Sequence, residues 1–399
     1  MNPSTQGWIT KLQLASESFF NNSKNWDEHE FYDYLLNAGF IYGTNISCIN
    51  TELKTELNYT QEELAKLNLV YALMHVCKSK SAGTTNTSEI EQIISFYTQI
   101  TSNSKKNFGV LLASKNNALN LETIIHNRVQ PKGSLLQKNF SKLLTNAMLF
   151  ADVICFQIWL KQPEKLNQLA IELEGVLINL VYLAIQEKTE LGKYEELIMK
   201  LLLSSLRYEK RNQNKMCAFD EVNFKILDDY SIKKYAIDLI CMAIYSDELI
   251  EVSESEFVFQ LALKIDLATN EVQSSIEYLQ KFVTEYKSEI AYFNAKNPLQ
   301  NFYSRTQRNT QVLLRRNKKR LTQEIMESKE LFILLKASTN RDLSLTEKQK
   351  VKEQLFDIFK SIPSLAIFAL PGGGVLLPII IRFIPKLLPS SFNENNKFN

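Results

Sequence analysis

An all-α chain of multi-helix bundle domains, closed by a C-terminal Pro/Gly-rich membrane segment, is the fold the sequence predicts. Three observations carry this. The first 360 residues hold only eight glycines and four prolines, too few for the turns of a β-rich fold. Apolar residues recur at helical spacing behind capping-box pairs such as Thr60/Glu63 and Ser88/Glu91. Residues 361–392 then change character, into a run punctuated by glycine and proline.

Residues 1–130 read as an N-terminal region of short helices joined by polar loops. Its clearest helix is Thr60–Lys78, with Leu64, Leu67, Tyr71 and Met74 along one side. A second begins at Ser88 and shows Ile93, Ile94 and Tyr97 together. His75 and His126 stand alone and read as structural histidines. Pro131–Gly133 marks a boundary, and residues 131–290 form the next bundle. Three apolar runs open it: Phe140–Leu160, Leu166–Gln186 and Tyr194–Tyr208. Met148–Leu160 contains Asp152 and Gln157 and is short for a bilayer, so a buried core helix is predicted. Glu172 and Glu174 favour a soluble bundle for Leu166–Gln186 as well.

Between Ile232 and Val283 an apolar helix ends at Asp247, an acidic link follows, and a second helix starts near Ser253. Asp247, Ile250, Glu254 and Glu256 are spaced as in TerB-like helical domains, which this segment resembles, with Glu248 at the usual glycine. Asp247, Glu251 and Glu254 are the candidate ligands for a hard cation. The simpler reading is that acids favour the first turn of a helix, with Ser253 and Glu256 as its capping box. No metal or other cofactor is predicted.

Residues 291–360 form a basic linker and amphipathic stalk. Ile290–Gln323 has no acid, yet carries Lys296, Arg305, Arg308, Arg315, Arg316, Lys318, Lys319 and Arg320. RNA contact, docking on anionic lipid and a plain solvated face all fit this composition. The solvated face is the simplest, and no recognisable module supports RNA. Leu321–Ala337 reads as one amphipathic helix, with Leu321, Ile325, Phe332 and Leu335 aligned. Thr346 and Gln349 offer a capping box for a last helix, ending near Ser361.

From Ile362 to Ile381 there is no charge. Residues 361–392 hold Pro363, Pro371, Pro378, Pro385 and Pro389, with Gly372, Gly373 and Gly374; residues 393–399 are a polar tail. Such a run fits a bilayer, where neighbouring segments satisfy the backbone groups that proline frees. The phased prolines leading into Phe383, Pro385, Leu388, Pro389, Ser390 and Phe392 resemble the membrane segment of the leucine-zipper/EF-hand transmembrane (LETM) family. The chain as a whole is most similar to LETM-related, biofilm-associated proteins of Bacteroidetes. That resemblance implies membrane attachment, with a link to envelope or biofilm behaviour. Gly374 stands where the family carries a carboxylate, and the ribosome-binding-like domain that follows in the family would lie beyond Asn399. Both departures argue against an ion antiporter and a ribosome binder.

Composition bounds the function further. The charge is nearly balanced, at +2, so no global field points to DNA. Five scattered cysteines form no zinc pattern and read as reduced thiols. The N-terminus has no signal-peptide layout, which predicts an unsecreted body facing the cytoplasm. No P-loop, dinucleotide fingerprint, G-x-S-x-G or H-E-x-x-H occurs, so no catalytic residue is predicted. The expected protein is a non-enzymatic scaffold of the cytoplasmic membrane. Its partners would be the lipid bilayer and a protein, or a second copy, held through the Gly/Pro-rich segment. The alternative is a component of a LETM-type cation/proton antiporter or a ribosome-associated membrane factor.

Overall fold

A computed structural model describes residues 1–53, 57–80, 88–102, 115–130, 145–187, 216–245, 252–286, 314–341 and 343–362, together with 312, 365 and 384. Regular structure among these residues is helical throughout, as the sequence predicts. The described residues up to Tyr286 belong to one compact unit and those from residue 312 to a second.

The first unit contains α1 (Trp8–Ala15), α2 (Glu17–Ser23), α3 (Glu28–Asn37), α4 (Gln61–Lys80), α5 (Glu89–Ser102) and α6 (Asn117–Val129). It continues with α7 (Leu149–Trp159), α8 (Leu166–Gln186), α9 (Tyr230–Ile244), α10 (Val252–Lys264) and α11 (Thr269–Tyr286). α4 starts where its capping box puts it: the Thr60 amide donates to Glu63 Oε2 at 2.8 Å, and the Glu63 amide to Thr60 Oγ1 at 3.3 Å. The Ser88/Glu91 pair caps α5 in the same way. From Glu63 to Cys77 every residue of α4 is buried, so α4 is a central helix rather than a surface one. Its polar groups are paired. Lys66 meets Glu62 at 3.1 Å, and Asn68 accepts from the Ile49 amide and donates to the Ser47 carbonyl.

One hydrophobic core runs through this unit. α4 packs on α7, α5 on α6, and α9 on both α8 and α11. Helices on either side of Pro131–Gly133 therefore share a core. α8 forms over the residues the sequence indicates. With the turn before it, Pro163–Gln186 is the one stretch among the described residues that is long and apolar enough to cross a membrane. Over half of it is buried within the unit, against α7 and α9. Asp152 of α7 is fully buried, and its charge is met by Arg128, whose Nε lies 2.8 Å from Oδ2.

α3 ends in a Schellman motif, with the Gly39 amide on the Leu36 carbonyl and the Phe40 amide on that of Leu35. Gly39 has φ +73°, and a Cβ there would meet the Thr44 carbonyl oxygen at 2.7 Å. Only glycine fits this turn, which folds residues 40–45 back into the core.

The second unit holds α12 (Lys318–Glu327), α13 (Lys329–Asn340) and α14 (Leu345–Ser361) around Leu321, Ile325, Leu335, Leu355 and Phe359. Two sequence expectations need correction here. The single helix expected over Leu321–Ala337 is two, broken at Ser328, whose ψ of 91° leaves the helical region. The Ser328 hydroxyl instead donates to Gln354 Oε1 of α14 at 2.8 Å. The capping box of α14 is Ser344 with Glu347, not Thr346 with Gln349. A carboxylate is the stronger acceptor, and Arg341 fixes Glu347 with two hydrogen bonds, at 2.8 and 2.6 Å.

Candidate functional site

The cation-ligand candidates are not brought together by the described structure. Asp247 and Glu251 lie outside the described residues, and Glu254 falls in the first turn of α10. No group of three His, Cys, Asp or Glu side chains among the described residues could hold a metal ion. Pro363, Pro371, Gly372, Gly373, Gly374, Pro378, Phe383, Pro385, Leu388, Pro389, Ser390 and Phe392 also lie outside them. Leu365 and Ile384 are described, and both are buried in the core of the second unit.

A polar cluster that the sequence reading missed sits at the heart of the first unit, where α3, α9 and α11 supply its side chains. Asp238 of α9 is fully buried and accepts a 2.6 Å hydrogen bond from the Tyr32 hydroxyl of α3 through Oδ2. Its Oδ1 has no hydrogen-bond partner among the described residues. Burial drives the Asp238 carboxyl above its ordinary range, with Lys234 and Ser275 pulling the other way. Lys234, one turn before it, donates to Ser275 Oγ at 2.6 Å and to the Glu271 carbonyl at 3.0 Å. Glu271 in turn accepts from the Tyr230 hydroxyl at 3.0 Å, and the Tyr230 ring lies 4.1 Å from that of His29. Burial, then the Asp238 charge, raises the Tyr32 phenol far above its usual value. Tyr42, delivered by the Gly39 turn, is shifted the same way, and its buried hydroxyl has no hydrogen-bond partner among the described residues. The cluster ties three helices together through buried hydrogen bonds. The signal available for it was Asp238, four residues after Lys234 and set in the apolar run from Tyr235 to Ile244.

In the second unit, polar contacts fix how α12 and α14 lie together. Arg320 Nη2 donates to the Ser361 carbonyl at 2.9 Å, while Ser328 at the other end of α12 meets Gln354. The two helices are antiparallel, and the N-terminal end of α12 lies beside the point where α14 hands the chain to the apolar run. Elsewhere in the unit, Lys350 pairs with Glu330 at 2.7 Å and Arg341 with Glu347 at 2.6 Å. The Arg341 contacts lower the Glu347 carboxyl to about 2.

Residues 343–399 match the family model described as LETM1-like, RBD. No curated protein and no solved structure matches the chain. The matched stretch opens one residue before the Ser344 cap, takes in α14 and continues through the charge-free run. The stretch from residue 343 onward is thus similar to the family's RBD model, which corrects the expectation that such a domain would lie only beyond Asn399.

Proposed function

We propose that the chain is a membrane-attached helical scaffold without catalytic activity, anchored by residues 361–392 with its body on the cytoplasmic side. The observation that carries this is the LETM1-like match over 343–399, which falls on a run with no charge from Ile362 to Ile381. A segment of that length and composition suits hydrocarbon, and its prolines do not suit a helix in water. Lys348, Lys350, Lys352 and Lys360 ahead of the run favour a cytoplasmic body. On this reading α8 is a core helix, residues 232–283 are a TerB-like helical segment, and a protein partner or a second copy is held through the Gly/Pro-rich segment. A part in biofilm or envelope behaviour belongs to the same reading and rests on the sequence resemblance.

Alkaline carbonate extraction of cells expressing the full chain, beside a chain ending at Asp357, tests it. The full chain should stay with the membrane and the shorter one should be released. Release of both overturns the proposal, and retention of both moves the anchor to α8. The scaffold reading further expects no cation/proton exchange, because intramembrane carboxylates are the usual proton carriers and Gly374 occupies the family's carboxylate position. Proton movement above that of empty vesicles, with purified chain in liposomes under a potassium or calcium gradient, would restore the antiporter.

A further inference from the structure

We propose that the end of the second unit at Ser361 is a docking face for anionic phospholipid head groups, formed by Lys318, Lys319, Arg320 and Lys360. The inference rests on the membrane-attached reading and adds to it the chemistry of the lipid.

Position comes first. The 2.9 Å bond from Arg320 to the Ser361 carbonyl brings the start of α12 to the end of α14, one residue before the apolar run. Lys318, Lys319, Arg320 and Lys360 are all exposed there. Lys318 and Lys319 make no ion pair or side-chain hydrogen bond among the described residues. The one acid paired at this end is Asp357, 3.0 Å from Lys360. Glu330 and Glu347 are taken up by Lys350 and Arg341, more than ten residues back along α14, a separation of roughly 16 Å at 1.5 Å per residue.

Charge complementarity then selects the occupant. Ile290–Gln323 has no acid, and the positive end of the α12 dipole adds to the patch, which outweighs Asp357 on Lys360 and Glu324 one turn after Arg320. Arg320 meanwhile offsets the negative end of α14. A cation so close to the first apolar residue lies within the ~8 Å screening length of a lipid surface at physiological salt. Met326, two turns after Lys319, is 55% exposed, and an apolar side chain following lysines is the pattern of a helix seated at an interface.

The test uses the full chain reconstituted into vesicles of phosphatidylcholine alone or mixed with phosphatidylglycerol. The readout is the rate of tryptic cleavage after Arg320, followed by mass spectrometry. Cleavage should be at least about tenfold slower on the anionic vesicles, since several basic residues each contribute on the order of 1 kcal/mol at such a surface. High salt, or the pair K318E/K319E (which leaves Arg320 cleavable), should bring the ratio near one. Equal rates on both vesicles, with the chain still incorporated, overturn the docking face and leave the membrane-attached reading standing. So does protection that K318E/K319E leaves unchanged. Failure of the chain to enter either vesicle overturns the membrane reading and the docking face with it. Protection by added polyuridylate but not by anionic lipid assigns the patch to RNA and also overturns the proposal.

Discussion

His75 is buried with its ring stacked 4.3 Å from that of Phe31, and desolvation lowers its pKa from the ordinary 6.5 to about 4. The folded chain therefore refuses a proton that the unfolded chain accepts. Stability from this residue is intact above about pH 6.5 and falls steadily toward pH 4, by roughly 3 kcal/mol in all. Denaturant melts of the parent and of His75→Phe across this window should diverge, the variant showing the flatter profile. Asp238 carries the opposite sign. Its carboxyl is raised by burial, so the charged form costs stability at neutral pH. Asp238→Asn keeps an acceptor for Tyr32 and removes that cost, and should melt at or above the parent temperature at pH 7. Tyr32→Phe strips the carboxylate of its 2.6 Å donor and should lose about 1–3 kcal/mol in the same melts.

At the scale of the element, α14 depends on Ser344, whose hydroxyl accepts from the Glu347 amide at 3.2 Å while Glu347 returns a bond to the Ser344 amide. Ser344→Ala should cost about 1 kcal/mol, seen as faster amide exchange over residues 345–349. How well an element could be read from sequence follows from how local its determinants are. α4 was legible because cap and apolar period sit within one stretch of chain, and α8 because its apolar run does. The break at Ser328 was not, because its cause is Gln354, across the unit. For α14 two pairs fitted the capping pattern, and Arg341 favours the carboxylate. The Asp238 cluster was illegible for the same reason in stronger form, since its tyrosine comes from a different third of the chain.

At the scale of the molecule, the two cores share no described residue: one holds side chains from Trp8 to Val283, the other from Leu314 to Ile384. A chain ending at Ala295 should accordingly keep a single cooperative melt by circular dichroism, and a broad, featureless melt would show that the first unit needs the second. The all-α class was legible from glycine and proline scarcity alone. The single core across residues 1–286 was not, because the polar boundary at Pro131–Gly133 says nothing of which helices meet in space.

The bond from Tyr32 to Asp238 spans 206 positions, and the one from Tyr278 to Asn37 spans 241. A nascent chain grows at about 5–20 residues per second, so α3 leaves the exit tunnel roughly ten seconds or more before its partners exist. His75 of α4 follows soon after to cover Phe31, but throughout that interval the Tyr32 hydroxyl, buried in the finished fold, lacks the Asp238 carboxyl that accepts from it. α3, made among the first helices, is therefore among the last to be finished, and it offers chaperones a defined target until Tyr230–Ile244 has been made.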